Sequence, residues 1–168
     1  MWYCLRYACC LIMVLIATMS CSTNPMNSSE PEDEFWFRHP DLKDYAKQRM
    51  EQAKLKLHTI NDVKVLQRQF SPITEIVDFE PTAEIVFARK LVGDCKSAAV
   101  LGQWSLLQIG IPSRLVDLYG NNVGSHRVCI SNDNEYMITN CEVCELDPEY
   151  WQKQVMSLFG WKYNRVEE

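Results

Sequence analysis

The pattern of apolar and polar residues predicts helices in the part of the chain after residue 40. In the stretch "DLKDYAKQRMEQAKLKL", apolar side chains recur at close to helical spacing, at Leu42, Tyr45, Ala46, Met50, Ala53 and Leu57. Asp41 is suited to cap the N-terminus of this helix. Two shorter stretches, "NDVKVLQRQFSP" and "PTAEIVFARKLVG", predict further helices that end at Pro72 and Gly93.

A longer helix follows. From Asp94 to Ile109 small and apolar residues repeat with helical spacing, and Gly110 followed by Ile-Pro is a strong stop signal. Asp94 is a good N-cap residue because its carboxylate can accept the first free backbone N–H groups. This placement puts Cys95 in the first turn of the helix.

The remainder predicts a small antiparallel sheet and a closing helix. "SRLVDLYG", "SHRVCIS" and "EYMITNC" are rich in strand-forming residues and are separated by the turn sequences "GNNVG" and "NDN". The last helix begins near Pro148 and is expected to direct five side chains toward the core: Tyr150, Trp151, Val155, Met156 and Phe159. Helices, then a sheet, then a helix indicate the α+β class.

The N-terminal residues have the pattern of an export signal. Arg6 precedes an apolar stretch from Ala8 to Met19, and the polar sequence "SCSTNPMNSSEPEDE" follows without periodicity. We predict a signal peptide or membrane anchor over residues 1–20, a flexible tether over 21–37 and one folded domain over 38–168. Ser20 before Cys21 resembles a bacterial lipoprotein cleavage site, so Cys21 is a candidate for lipidation; an uncleaved anchor and ordinary secretion are the alternatives.

Charge excludes one class of partner. The chain has 17 Lys and Arg against 22 Asp and Glu, a formal net charge of −5, and no cluster of basic residues. Nucleic acid binding requires concentrated positive charge, so we exclude nucleic acid as a partner.

Four of the eight cysteines lie in the predicted domain: Cys95, Cys129, Cys141 and Cys144. In an oxidising compartment they could form disulfides, and Cys95 must stay reduced if it is to act chemically. The pair Cys141 and Cys144 lacks the additional ligands of a zinc site and does not open a helix as a redox pair would. Packing or a disulfide is the favoured interpretation of that pair.

Cys95 has the location of a nucleophile. A helix N-terminus favours the thiolate because free N–H groups and the helix dipole stabilise an anion. Of the three histidines, only His126 lies on a predicted strand close to this helix, so it is the candidate base.

The length of the "NDN" loop decides which side chain orients His126. With a three-residue loop, His126 stands opposite Asn140, whose side-chain carbonyl can accept the imidazole N–H. With two or four residues in the loop, Cys141 stands opposite His126 and Asn140 turns to the other face. The sequence leaves both registers open.

The stretches "GDCKSAAVLGQWSLLQIGIPSRLV" and "SHRVCISNDNEYMITN" resemble the transglutaminase-like superfamily, and most closely its bacterial transglutaminase-like cysteine proteinases. The similarity extends from about Leu55 to Trp161. It implies a papain-like core in which the N-terminal helices and the helix of Cys95 pack on a small antiparallel sheet. It also implies a periplasmic enzyme with Cys95 and His126 in the catalytic positions.

The chain departs from the family pattern at two places. Thr139-Asn140 stands where the family usually has Asp-Asn, so Asn140 is expected to replace the orienting carboxylate. Lys96 stands where some members have an acid that binds calcium together with the preceding Asp, so we predict no cofactor and no metal. Instead, Asp94 and Lys96 are expected to support the Cys95 thiolate and the oxyanion site.

The sequence therefore predicts a thiol hydrolase that cleaves an amide bond in a protein or peptide through Cys95, His126 and Asn140. The protein is expected to be exported and anchored on the periplasmic or outer face of a bacterial envelope. Two alternatives remain: acyl transfer to an amine, as in a transglutaminase, and a non-catalytic binding module with the same fold.

Overall fold

A computed structural model describes residues 32–74, 81–120, 124–160 and 162–167. Over these residues the chain forms helices and strands in the following order: α1 (Glu32–Arg38), α2 (Asp41–Lys54), α3 (Ile60–Gln67), β1 (Ser71–Pro72), α4 (Ala83–Ala88), β2 (Val92–Gly93), α5 (Cys95–Gln108), β3 (Ser113–Tyr119), β4 (His126–Ser131), β5 (Tyr136–Thr139), β6 (Glu142–Glu145), α6 (Trp151–Leu158) and β7 (Arg165–Glu167).

Five strands form an antiparallel sheet in the order β6-β5-β4-β3-β7, and β1 pairs with β2 in a separate parallel ladder. Helices cover both faces of the larger sheet, which confirms the predicted α+β class. The sequence pattern did not predict β6 or β7. Both are short and lie at the two edges of the sheet.

Helix α5 packs against one face of the sheet, called here the α5 face and marked by Leu115, Cys129 and Ile138. Its buried apolar side chains are Ala98, Ala99, Leu101 and Leu106. Gly102 permits this close packing, since a Cβ atom there would lie 2.8 Å from Ile138 Cγ2. The apolar residues that alternate along the strands therefore pack against helix α5 on this face.

Both predicted ends of α5 are confirmed. The Asp94 carboxylate accepts hydrogen bonds from the backbone N–H of Ser97 at 3.0 Å and from the Ser97 hydroxyl at 3.1 Å. At the other end, Gly110 has a φ of 77°, the left-handed conformation that glycine adopts without steric cost.

The opposite face, called here the α6 face, carries Val116, Val128, Ile130 and Met137. Trp151 and Val155 of α6 are buried against it, as the sequence predicted. The expectation that Tyr150 points into the core is wrong, because 53% of this residue is exposed.

Four helix boundaries differ from the predictions. Helix α3 ends at Gln67 and not at Pro72, and helix α6 begins at Trp151 and not at Pro148. Helix α4 ends at Ala88 and not at Gly93, because Lys90 and Leu91 adopt left-handed backbone angles with φ of 57° and 62°. Helix α2 is preceded by Pro40 as its cap residue, and Asp41 is already its first helical residue.

The predicted tether over residues 21–37 is wrong at its C-terminal end. Residues from Glu32 onward are helical, and Phe35 is only 4% exposed because it packs in the core beneath α1. Residues 1–31, including Cys21 and the predicted export signal, lie outside the described residues. In the described ranges, no helix combines the length and apolar character needed to cross a membrane.

Candidate active site

Cys95 is the first residue of α5 and is partly buried. The chain reaches it through Gly93, where a Cβ atom would lie only 2.5 Å from the Ser97 side chain. Asp94 follows in an extended conformation with φ of −87° and ψ of −169°, and it caps the helix. The Gly-Asp sequence thus fixes the position of the thiol through close packing and a capping hydrogen bond.

Local electrostatics at Cys95 differ from the prediction. Burial raises the pKa of the thiol above its ordinary value, and the carboxylate of Asp94 raises it further. The backbone N–H groups of Arg127 and Cys95 and the charge of Lys96 act in the opposite direction without reversing the pKa shift. The thiol is therefore protonated at neutral pH, and the expectation of a lowered pKa is wrong for this conformation.

His126 is the first residue of β4 and its ring is surrounded by aromatic side chains. The ring centroid of Phe159 lies 4.9 Å away, and the Tyr163 ring is stacked at 5.9 Å. Burial lowers the pKa of His126 to about 4, although the negative charge of Asp117 acts against this shift. The imidazole is therefore neutral at pH 7, as a proton acceptor must be.

The register between β4 and β5 answers the question that the sequence left open. Cys129 pairs with Ile138 and Ile130 pairs with Met137, which leaves a four-residue loop over 132–135. This is the register in which Asn140 does not stand opposite His126. Instead, Thr139 Oγ1 lies 2.9 Å from His126 Nε2.

The predicted role of Asn140 as the partner of His126 is therefore wrong in this structure. Asn140 lies in the tight turn between β5 and β6 with a φ of 44°, a conformation that asparagine tolerates better than most residues. Its backbone carbonyl accepts a hydrogen bond from the buried side chain of Gln67. Asn140 is thus explained by the geometry of the turn.

Cys95 and His126 approach the sheet from different sides. His126 pairs with Leu118, so its side chain shares the α6 face, whereas Cys95 belongs to the helix on the α5 face. The N–H of Arg127, the residue after His126, is the backbone group that acts on the Cys95 sulfur. Among the hydrogen bonds of the described residues, none joins the thiol of Cys95 to the ring of His126.

The neighbouring charged residues have mainly structural contacts. Arg127 forms two hydrogen bonds with the Asp117 carboxylate, at 2.7 and 2.6 Å. Arg114, beside the Ile-Pro turn, donates to Ser131 O and Asn134 Oδ1 and lies over the Trp151 ring. This hydrogen bonding fixes the loop between β4 and β5.

Cys95, Cys129 and Cys141 are free thiols. Cys129 is fully buried on the α5 face, and burial raises its pKa to about 11. The described ranges contain no group of three or more His, Cys, Asp or Glu side chains arranged to hold a metal ion.

A groove of about 290 Å³ lies between α2 and α3, with Ala53, Leu57, Val65 and Leu66 among its lining residues. Neither Cys95 nor His126 lines it.

Two residues near His126 were missed by the sequence reasoning. Thr139 occupies the position where the resembled family has Asp. This correspondence could have identified Thr139 as the partner of His126. Tyr163 lies after the last predicted helix in a stretch without a clear pattern. Only the three-dimensional structure reveals its position over His126.

Comparison with known proteins adds no assignment. No protein-family model matches the chain, and no curated protein matches it at a significant level.

Proposed function

We propose that this protein is a thiol hydrolase of the cysteine-peptidase type, with Cys95 as nucleophile and His126 as base. The observation that carries the proposal is the position of the Cys95 thiol at a capped helix start, beside the backbone N–H of the residue that follows His126. The resemblance to the transglutaminase-like superfamily and its papain-like core supports the same assignment.

In the proposed reaction, His126 accepts the thiol proton at Nδ1, because Nε2 is bonded to Thr139. The sulfur attacks the carbonyl carbon of an amide, and the backbone N–H of Cys95 stabilises the negative charge on the oxygen. His126 then returns the proton to the leaving amine, and water hydrolyses the thioester. The pair must first come together, since the resting structure holds His126 among aromatic rings.

Thr139 would act as the residue that orients His126. Its hydroxyl oxygen can accept a hydrogen bond from the Nε2–H group. This bond favours the tautomer that carries its proton on Nε2 and leaves the Nδ1 lone pair free. A hydroxyl carries no charge, however, and stabilises an imidazolium less than a carboxylate does. We therefore expect a lower rate than for an enzyme with Asp in this place.

Casein degradation provides the test of the hydrolase proposal. Full-length protein is expected to release acid-soluble peptides, and Cys95→Ser and His126→Ala are expected to abolish the release. Cys141→Ser is the matched control, since Cys141 is also a partly buried free cysteine but lies in a turn. Activity that persists in Cys95→Ser would contradict the proposal.

The same assay separates hydrolysis from acyl transfer. A fluorescent primary amine added to casein becomes attached to glutamine side chains if the acyl-enzyme reacts with amines. Peptide release without incorporation indicates a hydrolase, and incorporation without peptide release indicates a transglutaminase.

A non-catalytic binding module is the second candidate, and a specific observation favours it. The resting structure has a protonated Cys95 and no hydrogen bond from this thiol to His126 within the residues described. Under this alternative, casein remains intact and unmodified, whereas binding of an envelope protein is unchanged in Cys95→Ser.

Location at the bacterial envelope is part of the proposal. It is supported by the apolar stretch from Ala8 to Met19 and by Ser20 before Cys21. Radiolabelled palmitate should be incorporated into the expressed protein and lost in Cys21→Ala. Membrane association without labelling would indicate an uncleaved anchor instead.

A further inference from the structure

The described residues after α6 cross the end of the sheet and pair with its edge. Residues 162–167, called here the strap, include β7, which pairs with β3 through Arg165, Val166 and Glu167. The N–H of Asn164 donates a hydrogen bond to Tyr119 O at 2.9 Å. The strap therefore returns to the end of the sheet from which β4 begins.

Tyr163 of the strap lies over the candidate base. Its ring is stacked on His126 with an angle of 24° between the planes, while Phe159 contacts the same imidazole edge-on. The two aromatic rings also contact each other at 5.4 Å. The partly buried His126 thus contacts Thr139 through Nε2 and two aromatic rings, those of Phe159 and Tyr163.

The same tyrosine is influenced electrostatically by the candidate nucleophile. Burial raises the pKa of the Tyr163 phenol, and the thiolate form of Cys95 raises it further by charge repulsion. Tyr163 therefore lies within the influence of both Cys95 and His126, although it belongs to neither α5 nor β4.

The attachment of the strap is weak compared with the rest of the sheet. β7 has three residues, and only Val166 among them is partly buried. Arg165 lies over the Tyr119 ring at 4.6 Å and pairs with Glu167 at the surface. Short, exposed edge strands with few apolar contacts open at a small cost in free energy.

We infer that the strap is an autoinhibitory cover that holds His126 away from Cys95 until it is displaced from the β3 edge. This inference rests on the proposed function. Release of Tyr163 removes the stacked ring from His126, and the imidazole becomes free to turn toward the thiol. The resting enzyme is then mainly in the covered, inactive state.

The test measures the accessibility of Cys95 in the full-length chain. Protein is treated with iodoacetamide at mildly alkaline pH, and the rate of alkylation at each cysteine is read by peptide mass spectrometry. Tyr163→Ala is expected to raise the rate at Cys95 about tenfold, because it removes the stacked ring and its share of strap attachment. Val166→Ser is expected to act in the same direction by loosening β7.

Two variants serve as matched controls. Tyr163→Phe keeps the ring over His126 and is expected to leave the rate within about twofold of the parent. Tyr150→Ala removes an exposed tyrosine at the start of α6 and is also expected to have no effect. An increase with either control equal to that of Tyr163→Ala would overturn the inference.

Cys129 acts as an internal reporter of global unfolding, because it is completely buried. Faster alkylation at Cys95 alone supports local release of the strap. Equal acceleration at Cys95 and Cys129, or no acceleration at either, contradicts it. This readout keeps the test decisive even if Tyr163→Ala lowers overall stability.

Titration of His126 gives a second measurement that needs no catalysis. Its pKa should move from about 4 toward the ordinary value of 6.5 in Tyr163→Ala, as observed by NMR of the imidazole protons. The other groups that act on the imidazole are unchanged in this variant: Thr139 through its hydrogen bond and Asp117 through its charge. An unchanged His126 pKa in Tyr163→Ala would contradict the inference that the strap covers His126.

The two proposals fail separately. If Tyr163→Ala exposes Cys95 and raises the pKa of His126 but casein stays intact, the inference about the strap is retained and the hydrolase proposal is rejected. If the parent protein degrades casein and Tyr163→Ala changes neither the accessibility of Cys95 nor the rate of casein degradation, the hydrolase proposal is retained and the inference about the strap is rejected.

Discussion

The two faces of the five-stranded sheet differ in both composition and purpose. The α5 face is filled by the apolar residues of one long helix, with Leu101 and Leu106 completely buried. The α6 face is also apolar at its centre, but near the start of β4 it carries His126 and Thr139. The centre of each face is therefore an apolar core, and His126 and Thr139 are a polar pair at the edge of the α6 face.

This division explains why Cys95 and His126, the proposed nucleophile and base, are not hydrogen-bonded to each other in the described part of the structure. Cys95 comes from the helix of one face and His126 projects from the other, and the backbone N–H of Arg127 is the group of β4 that acts on the Cys95 sulfur. Under the proposed function, bringing them together requires a change around His126, where Thr139, Phe159 and Tyr163 contact the ring. The five predictions below test this contrast, beginning with the largest expected effect.

Truncation of Leu101 tests the α5 face. Leu101→Ala leaves a cavity beneath α5 and is expected to lower the free energy of unfolding by about 3.5 kcal/mol. Urea denaturation measures the change. Leu107→Ala is the matched control on the same helix, and it should cost less than about 0.5 kcal/mol because Leu107 is 63% exposed. Similar losses from both variants would contradict the packing of α5.

Acid should destabilise the protein through His126. Its pKa is about 4 in the folded protein, against the ordinary histidine pKa of 6.5 in the unfolded chain, so the unfolded chain binds more protons between these two pH values. The free energy of unfolding is therefore expected to fall by up to about 3 kcal/mol as pH decreases from 6.5 to 4.

His126→Phe removes this contribution and should flatten the pH dependence measured by denaturant unfolding. The exposed His58 provides the comparison, because His58→Phe should leave the dependence as steep as in the parent. A parent protein equally stable at both pH values would show that His126 titrates normally.

Much of the α5 face could be predicted from sequence, because Asp94, Gly110 and the apolar spacing between them are local signals. The α6 face was harder to predict from the sequence. The loop between β4 and β5 is closed by side chains, as Asp133 accepts hydrogen bonds from the Ser131 hydroxyl and the N–H of Glu135. Turn residues alone do not reveal such a network, so the register that places Thr139 beside His126 remained open.

Long-range contacts account for the other omissions. β7 has only three residues and forms by pairing with the edge of β3. Its own sequence is too short to show the periodicity that predicts a strand. Phe35 lies in an acidic stretch that resembles a tether, and its burial depends on α1 folding back onto the core. The fold class followed from pattern, whereas the surroundings of His126 depended on pairing between distant segments.

Substitution of Gly102 tests how closely α5 approaches the sheet. Gly102→Ala introduces a methyl group against Ile138 and is expected to lower the free energy of unfolding by about 2 kcal/mol. Thermal denaturation provides the measurement. Gly124→Ala is the control, since a Cβ atom at Gly124 would meet no atom within 4 Å. An unaltered melting temperature in Gly102→Ala would indicate a looser contact.

Removal of the Thr139 hydroxyl tests the polar part of the α6 face. Thr139→Val leaves His126 Nε2 without its partner and is expected to cost about 1.5 kcal/mol, with a change in the imidazole tautomer seen by nitrogen NMR. Asn140→Gly should leave the tautomer unchanged, because Asn140 serves the turn and its φ of 44° suits glycine. The opposite pattern would restore Asn140 as the orienting residue.

Loss of the Asp94 cap gives the smallest expected effect. Asp94→Ala removes the hydrogen bonds to Ser97 and should lower the free energy of unfolding by about 1 kcal/mol. Asp94→Asn can accept the same bonds and should recover most of the loss. If Asn is as destabilising as Ala, then negative charge and not hydrogen bonding is what Asp94 contributes.

The position of β7 also has a consequence for the order of folding. Domains are synthesised from the N-terminus, and β7 leaves the ribosome after every other described element. The helix of Cys95 and the strand of His126 can therefore assemble while the β3 edge is still vacant. If the strap is the cover proposed above, Cys95 and His126 exist without it for a time during biosynthesis.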